Sequence, residues 1–302
     1  MELKYHPDCR PFTEAGELSQ VEAWYEQGRR ILWVMLHGKP RPCFNPELLA
    51  DIKQLIAAAK CSNLPIEFWI TASTVPNIFN VGGDLALFAK HIRAANHEAL
   101  RQYAHSCIEA VHAAATGFGI DAITIAMIEG TAMGGGYEAA LAHDFVLAQS
   151  DAKMGFPEIA FNLYPGMGAY SLVQRKAGRL LAEDLIISGA SHSGAWYHDK
   201  GLVDRTFVQG DAFRATRGFV DELRPKLNGI KGMLNARRRV LPLDKAELID
   251  ITEDWARSAL HLKDHDVAYM ERLVMLQNRR VSNTTSTAVN VPKMTLKVPE
   301  MA

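Results

Sequence analysis

Three short, almost wholly apolar runs limit this chain more than any other feature: residues 30–37 (RILWVMLH), 66–72 (IEFWITA) and 121–128 (DAITIAMI). Runs of this length without polar alternation belong to strands covered on both faces. Such strands pair in parallel through crossover connections, and helix-length segments lie between the runs. Asn45-Pro46-Glu47 opens one of these segments with a capping side chain, a ring that pre-sets φ and an acid at the positive end of the dipole. That helix is expected to reach about Lys60. A longer one covers residues 97–115, where Leu100, Tyr103, Cys107, Ala110 and Val111 recur three or four apart. Residues 137–142 read as a short helix and 144–148 as a fourth strand. The class is α/β.

From about Gly168 onward the pattern is helical, ending in segments near 245–262 and 264–280. Their apolar faces carry Leu248, Ile251, Trp255 and Leu260, then Val267, Met270 and Leu273. The last 20 or so residues are polar and read as loose. A chain of 302 residues with a net charge of -1 can bury a full core and has no electrostatic footprint for nucleic acid or an anionic membrane. No apolar run reaches the ~18 residues of a membrane span, and residues 1–12 lack a signal-peptide pattern. Cys9, Cys43, Cys61 and Cys107 have no CxxC spacing and read as reduced residues. His91, His97, His105 and His112 lie in or beside helical segments without ligand spacing, so no metal is expected. These features point to a cytoplasmic protein.

Three segments carry chemistry. Phe79-Asn80-Val81-Gly82-Gly83-Asp84-Leu85 follows the second strand. Ile128-Glu129-Gly130-Thr131-Ala132-Met133-Gly134-Gly135-Gly136-Tyr137-Glu138 follows the third. Met154-Gly155-Phe156-Pro157-Glu158 comes after the fourth and continues to Gly166. Glycines at the mouth of a helix leave its first N–H groups free and let a ligand approach. Two such turns can each aim one N–H at the same oxygen, which suits a thioester enolate. Gly-Gly pairs also make ordinary turns. The spacing is not that of a dinucleotide fingerprint, and Gly189–Gly194 misses G-x-S-x-G by one residue and reads as a helix-ending turn. Glu138 alone could simply complement a helix dipole, and Glu158 alone could be a solvated loop charge. Together they are a carboxylate pair able to move a proton beside a carbonyl and another at a neighbouring hydroxyl.

Over residues 31–208, and most specifically in these segments, the chain resembles the enoyl-CoA hydratase/isomerase, or crotonase, superfamily. The resemblance implies a crotonase-like (ClpP/crotonase) ββα spiral over residues 1–210, with an N-terminal extension at 1–27. A helical region at 211–302 is then expected to cover the site and mediate assembly into trimers or dimers of trimers. It also implies that Gly83 and Gly135 supply the two oxyanion N–H groups and that Glu138 and Glu158 are catalytic. Retention of both glutamates favours hydration or dehydration over isomerisation. The chain departs from the common pattern at Asn162, where a glycine is usual, and at Met167-Gly168-Ala169-Tyr170. Asn tolerates the left-handed region, so that turn is expected to survive.

The segment Arg41-Pro42-Cys43-Phe44-Asn45-Pro46, with Gly83–Phe88 and Ala104–Cys107, resembles the diffusible signal factor synthase branch. That branch dehydrates a 3-hydroxyacyl chain on acyl carrier protein and hydrolyses the thioester, releasing a cis-2-unsaturated acid for quorum sensing. The expected substrate is therefore an acyl thioester of carrier protein or CoA, with no cofactor. A sensor kinase is a further expected partner. Glu158 is assigned the α-proton and Glu138 the departing hydroxyl. Gly82, Met133, Gly134, Met167, Trp255 and Leu273 are the expected substrate-binding residues, with plain core packing the competing role for the large ones. An enoyl-CoA hydratase of fatty-acid catabolism and a regulatory binding protein on the same scaffold are the alternatives.

Overall fold

The computed structural model describes residues 2–288, with side chains described through residue 278. The chain opens with a hairpin, β1 (Cys9–Pro11) and β2 (Val21–Glu26), that pairs antiparallel with β3 (Ile31–Leu36). Helix α1 (Pro46–Cys61) follows, with Asn45 Oδ1 accepting from Leu48 N at 2.7 Å. The chain then makes three successive turns of one plan. Strands β4 (Phe68–Ser73) and β5 (Ile78–Asn80) lead to helices α2 (Leu85–Arg93) and α3 (His97–Ala115). Strands β6 (Ile123–Ile128) and β7 (Thr131–Met133) lead to α4 (Gly135–Leu141). Strands β8 (Phe145–Gln149) and β9 (Lys153–Gly155) lead through a 3-10 segment, Pro157–Phe161, to α5 (Ala169–Ala177) and α6 (Arg179–Ser188). Strand β10 (Ser191–Ser193), helix α7 (Gly194–Asp199) and β11 (Arg205–Phe207) complete the sheets. Four helices follow among the described residues: α8 (Ala212–Leu223), α9 (Leu227–Val240), α10 (Lys245–Ala259) and α11 (Asp264–Ala288).

In each turn the first strand joins a seven-stranded sheet, ordered β1-β2-β3-β4-β6-β8-β11, and the second joins a four-stranded sheet, ordered β10-β9-β7-β5. This is a ββα spiral. Its large sheet explains the unbroken apolar runs, because alternate residues of one strand enter different cores. Leu32, Val34 and Leu36 face one core, with Trp69, Ala126 and Ile128. Ile31, Trp33 and Met35 face the other, with Phe68, Ile70 and Ile125. Helices α1, α3 and α10 cover the first core through Leu48, Leu55, Ile108 and Leu248, and α8 and α9 cover the second through Phe219, Val220 and Leu234. Residues beyond 211 thus belong to both cores.

Residues 1–27, read as an N-terminal extension, add the strands β1 and β2 to the large sheet. Their signal is masked by charge. Glu26 ends β2 fully buried, where Arg29 Nη1 (2.8 Å), Trp33 Nε1 (2.9 Å) and Arg217 Nε (3.0 Å) satisfy its carboxylate. Helix α2 was also not anticipated, although Asp84 caps it through Ala86 N (3.1 Å) and Leu87 N (3.3 Å). The terminal segment read as loose is partly helix, because α11 runs to Ala288, and the rest of it lies outside the described residues. Gly189 ends α6 in the left-handed region, as read, and Ser191–Ser193 then pairs with β9. No cysteine is disulfide-bonded; Cys43 and Cys107 are buried, and Cys61 is exposed.

Candidate active site

The small sheet brings the three motif segments together. β5 and β9 both run parallel to β7, with Asn80 beside Ala132 and Met133 beside Gly155. The turns that leave these strands therefore emerge side by side at one edge. The first turn follows β5. There Gly82, at φ +98°, donates to Asn80 Oδ1 (2.8 Å), and its carbonyl accepts from Phe44 N (2.8 Å). A Cβ on Gly82 would lie 2.9 Å from the Met133 carbonyl oxygen and 3.0 Å from Gly135 N, so the first turn rests directly against the second. A Cβ on Gly83 would enter the Phe88 ring at 2.6 Å. In the second turn Gly134, at φ +50°, donates to the Gly155 carbonyl at 2.8 Å, and Gly135 begins α4. A Cβ on Gly135 would lie 3.4 Å from Gly83 N. Neither the Gly83 nor the Gly135 amide donates to a protein acceptor among the described residues. Two free N–H groups thus adjoin.

Glu138 stands in the first turn of α4, 1% exposed, and its Oε1 accepts from Met167 N and Ala169 N at 2.8 Å each. Glu158 comes from the 3-10 segment, which ends at Asn162 in the left-handed region (φ 58°, ψ 36°), as expected. Its carboxyl lies against Gly134: a Cβ there would overlap Glu158 Oε1 and come within 3.1 Å of Cδ. Glu158 Oε2 is buried without a hydrogen-bond partner among the described residues. Burial pushes both carboxyls above the ordinary 4.5, because a charge there loses its water. The two amides on Glu138 oppose that shift, whereas the charge of Glu138 adds to the shift of Glu158. The two amides thus favour the charge on Glu138, and Glu158 is the member of the pair that favours the proton.

Both glutamates, Gly83 and Gly135 line one cavity of about 380 Å³, together with Met133, Gly134, Met167, Trp255 and Leu273. Gly82 lies behind this surface, packed on the second turn. Trp255 of α10 lies across Gly166, where a Cβ would come within 2.6 Å of its ring, and its ring centroid is 4.9 Å from that of Phe88. Sequence reasoning missed Phe88, Tyr103, Cys107 and Tyr269 as cavity residues. Tyr103 was visible only as a member of an apolar helical stripe, which does not say what that stripe faces.

A sequence profile described as enoyl-CoA hydratase/isomerase matches residues 28–254. The chain belongs to this family. It is 34% identical over 137 residues to the human mitochondrial enoyl-CoA hydratase domain-containing protein 2, covering 44% of this chain and 45% of that protein. The chain therefore spans less than half the length of this curated relative. Among solved structures, an enoyl-CoA hydratase/isomerase from Xanthobacter autotrophicus Py2 superposes with a TM-score of 0.72 at 19% identity, covering 88% of this chain and 97% of its own. DspI of Pseudomonas aeruginosa superposes at 0.54 with 22% identity, covering 78% and 82% respectively. The fold of this chain is crotonase-like, α/β with a helical C-terminal region. Among the described residues no helix is long and apolar enough to cross a membrane.

Proposed function

We propose that this crotonase-fold chain adds water to, or removes it from, an acyl thioester held at the Gly83 and Gly135 amides. The observation that carries the reading is the convergence of these two unpaired N–H groups with two buried carboxyls of unequal proton affinity in one cavity. An enolate oxygen between the amides is stabilised as its charge develops, each donor being worth on the order of 10²–10³ in rate. In dehydration Glu158 takes the α-proton while Glu138 protonates the departing β-hydroxyl. Glu138 is then charged and Glu158 protonated.

The finer reading is a synthase of a diffusible 2-unsaturated fatty-acid signal, acting on a medium-chain 3-hydroxyacyl group on acyl carrier protein. The proton state left by dehydration supports its second step. Charged Glu138 can take a proton from water attacking the thioester carbon, and the resulting oxyanion uses the same two amides. The thiolate then leaves, taking that proton back from Glu138, and the free acid remains. In this reading the enzyme is a cytoplasmic homotrimer or dimer of trimers and has a sensor-kinase partner.

One observation favours a second reading, enoyl-CoA hydration with the thioester left intact. The two amides on Glu138 favour its charged form and leave the proton to Glu158, which is the starting state for hydration. Incubation with a medium-chain 3-hydroxyacyl carrier protein, followed by mass spectrometry, separates the readings. A free 2-unsaturated acid is the result expected of a synthase. An enoyl group retained on its carrier, with rapid hydration of enoyl-CoA, refutes the synthase reading in favour of the hydratase. Absence of both reactions refutes the proposal as a whole.

A further inference from the structure

A Gly-Gly turn is the most pliable dipeptide a chain can offer, yet an oxyanion donor works only when it is held in place before reaction. The polar groups around Gly83 are tied on every side while its own N–H is left free. Val81 N donates to the Pro42 carbonyl and Phe44 N to the Gly82 carbonyl, both at 2.8 Å, and Gly82 N donates to Asn80 Oδ1. The Asp84 carboxylate caps α2 and pairs with Arg41 Nη2 at 2.7 Å. One tie comes from a helix remote in sequence. The Tyr103 hydroxyl, on α3, accepts from Asp84 N at 3.1 Å and donates to the Phe44 carbonyl at 2.5 Å.

We propose that Tyr103 is a positioning residue for the oxyanion site: its hydroxyl clamps the Gly82–Asp84 turn against residue 44 and so aims the Gly83 amide. This rests on the reading of Gly83 as an oxyanion donor. The clamp is well placed for the task. Tyr103 is buried, and its ring meets Phe88 edge-on at 5.3 Å, the same ring that fills the space a Gly83 side chain would need. The hydroxyl is thus fixed relative to both sides of the turn. It stays protonated, since burial raises its pKa well above the ordinary value. Without it, the Asp84 N–H loses its acceptor and the Phe44 carbonyl loses a donor, so the peptide on the far side of Gly83 is released and the Gly83 amide is held from one side alone, through Phe44 N on the Gly82 carbonyl. Displacement of a reacting group by about 1 Å costs on the order of 10²-fold in rate.

The test is Tyr103→Phe, which keeps the ring and its packing, measured beside the wild type and Glu158→Gln. Two readouts are needed. The first is kcat and KM for hydration of an enoyl-CoA. The second is the absorption of a bound para-dimethylaminocinnamoyl thioester of CoA, whose band moves to longer wavelength as its carbonyl oxygen accepts hydrogen bonds. Tyr103→Phe is expected to lower kcat about 10- to 100-fold with KM changed less than about threefold. It should also weaken the red shift of the bound probe. Hydrogen exchange across residues 81–88 should quicken. Glu158→Gln should lose turnover and keep the full red shift. A Tyr103→Phe protein with the full red shift and kcat within about twofold of wild type overturns the clamp. A wild-type protein that binds the probe without shifting its band overturns the oxyanion reading, and the clamp with it.

Discussion

Glu158→Gln keeps the size of the side chain and removes its ability to exchange a proton. If Glu158 serves the α-carbon, kcat falls on the order of 10²–10⁴, the range of one general acid–base step. That loss corresponds to about 2.7–5.4 kcal/mol of transition-state stabilisation. The same substitution should make the folded chain more stable at neutral pH. In the folded state burial and the Glu138 charge raise the Glu158 pKa, whereas the unfolded chain ionises near the ordinary 4.5. A raised carboxyl means that the native state binds the extra proton between these two values. Wild-type stability from this group is therefore complete below pH 4.5 and is lost as pH climbs toward the folded pKa. The loss is at most about 1.4 kcal/mol per pH unit for one proton. The Gln variant lacks this loss, so its stability relative to wild type should rise with pH. Urea unfolding of both proteins in steps from acid to mildly alkaline pH measures the difference. A stability difference that stays flat with pH, or a variant whose kcat stays within about threefold of wild type, refutes the reasoning.

Three further outcomes are expected. In the hydration direction Glu138 must be charged, and its raised pKa places the acid limb of kcat/KM well above 4.5, so a limb centred near 4.5 contradicts the buried base. Trp255→Ala should cost roughly 3–5 kcal/mol in unfolding free energy, because the ring packs on Phe88 and Gly166. It should also move the preferred acyl length upward when kcat/KM is measured over a series of chain lengths. Asn162→Ala should cost about 1–2 kcal/mol by chemical denaturation, since Asn162 occupies the left-handed region, whereas Asn162→Gly should be close to neutral.

The fold was legible where both faces of a strand are apolar. Residues 31–36, 68–73 and 123–128 announce themselves because solvent touches neither side, so no polar alternation interrupts them. The same logic hid β2. Its Glu26 is buried by partners up to 191 residues away, so a locally polar residue ends a wholly buried stretch of strand. Helix α2 was hidden for a different reason. Asp84 is at once the last residue of the glycine turn and the cap of the helix, and a reading attentive to the turn stops there. The division of strands between two sheets was invisible from the chain alone, because pairing order is a tertiary choice.

The site was legible as three glycine- and carboxylate-bearing segments, and what their sequences could not supply was their mutual distance. The parallel register of β5, β7 and β9 supplies it, placing the three turns on one edge. The balance between the two glutamates also depends on residues outside the motifs. Met167 and Ala169 give their amides to Glu138, and among the described residues no group gives a bond to Glu158 Oε2, so two chemically identical side chains part in acidity. An unsatisfied buried polar group costs about 1–3 kcal/mol. Here two free amides and an unpaired carboxyl oxygen converge on one cavity, while Asn80 and Glu138 beside them are bonded. A chain optimised for stability alone would close those bonds internally. Their being left open together is the physical argument that a ligand completes them.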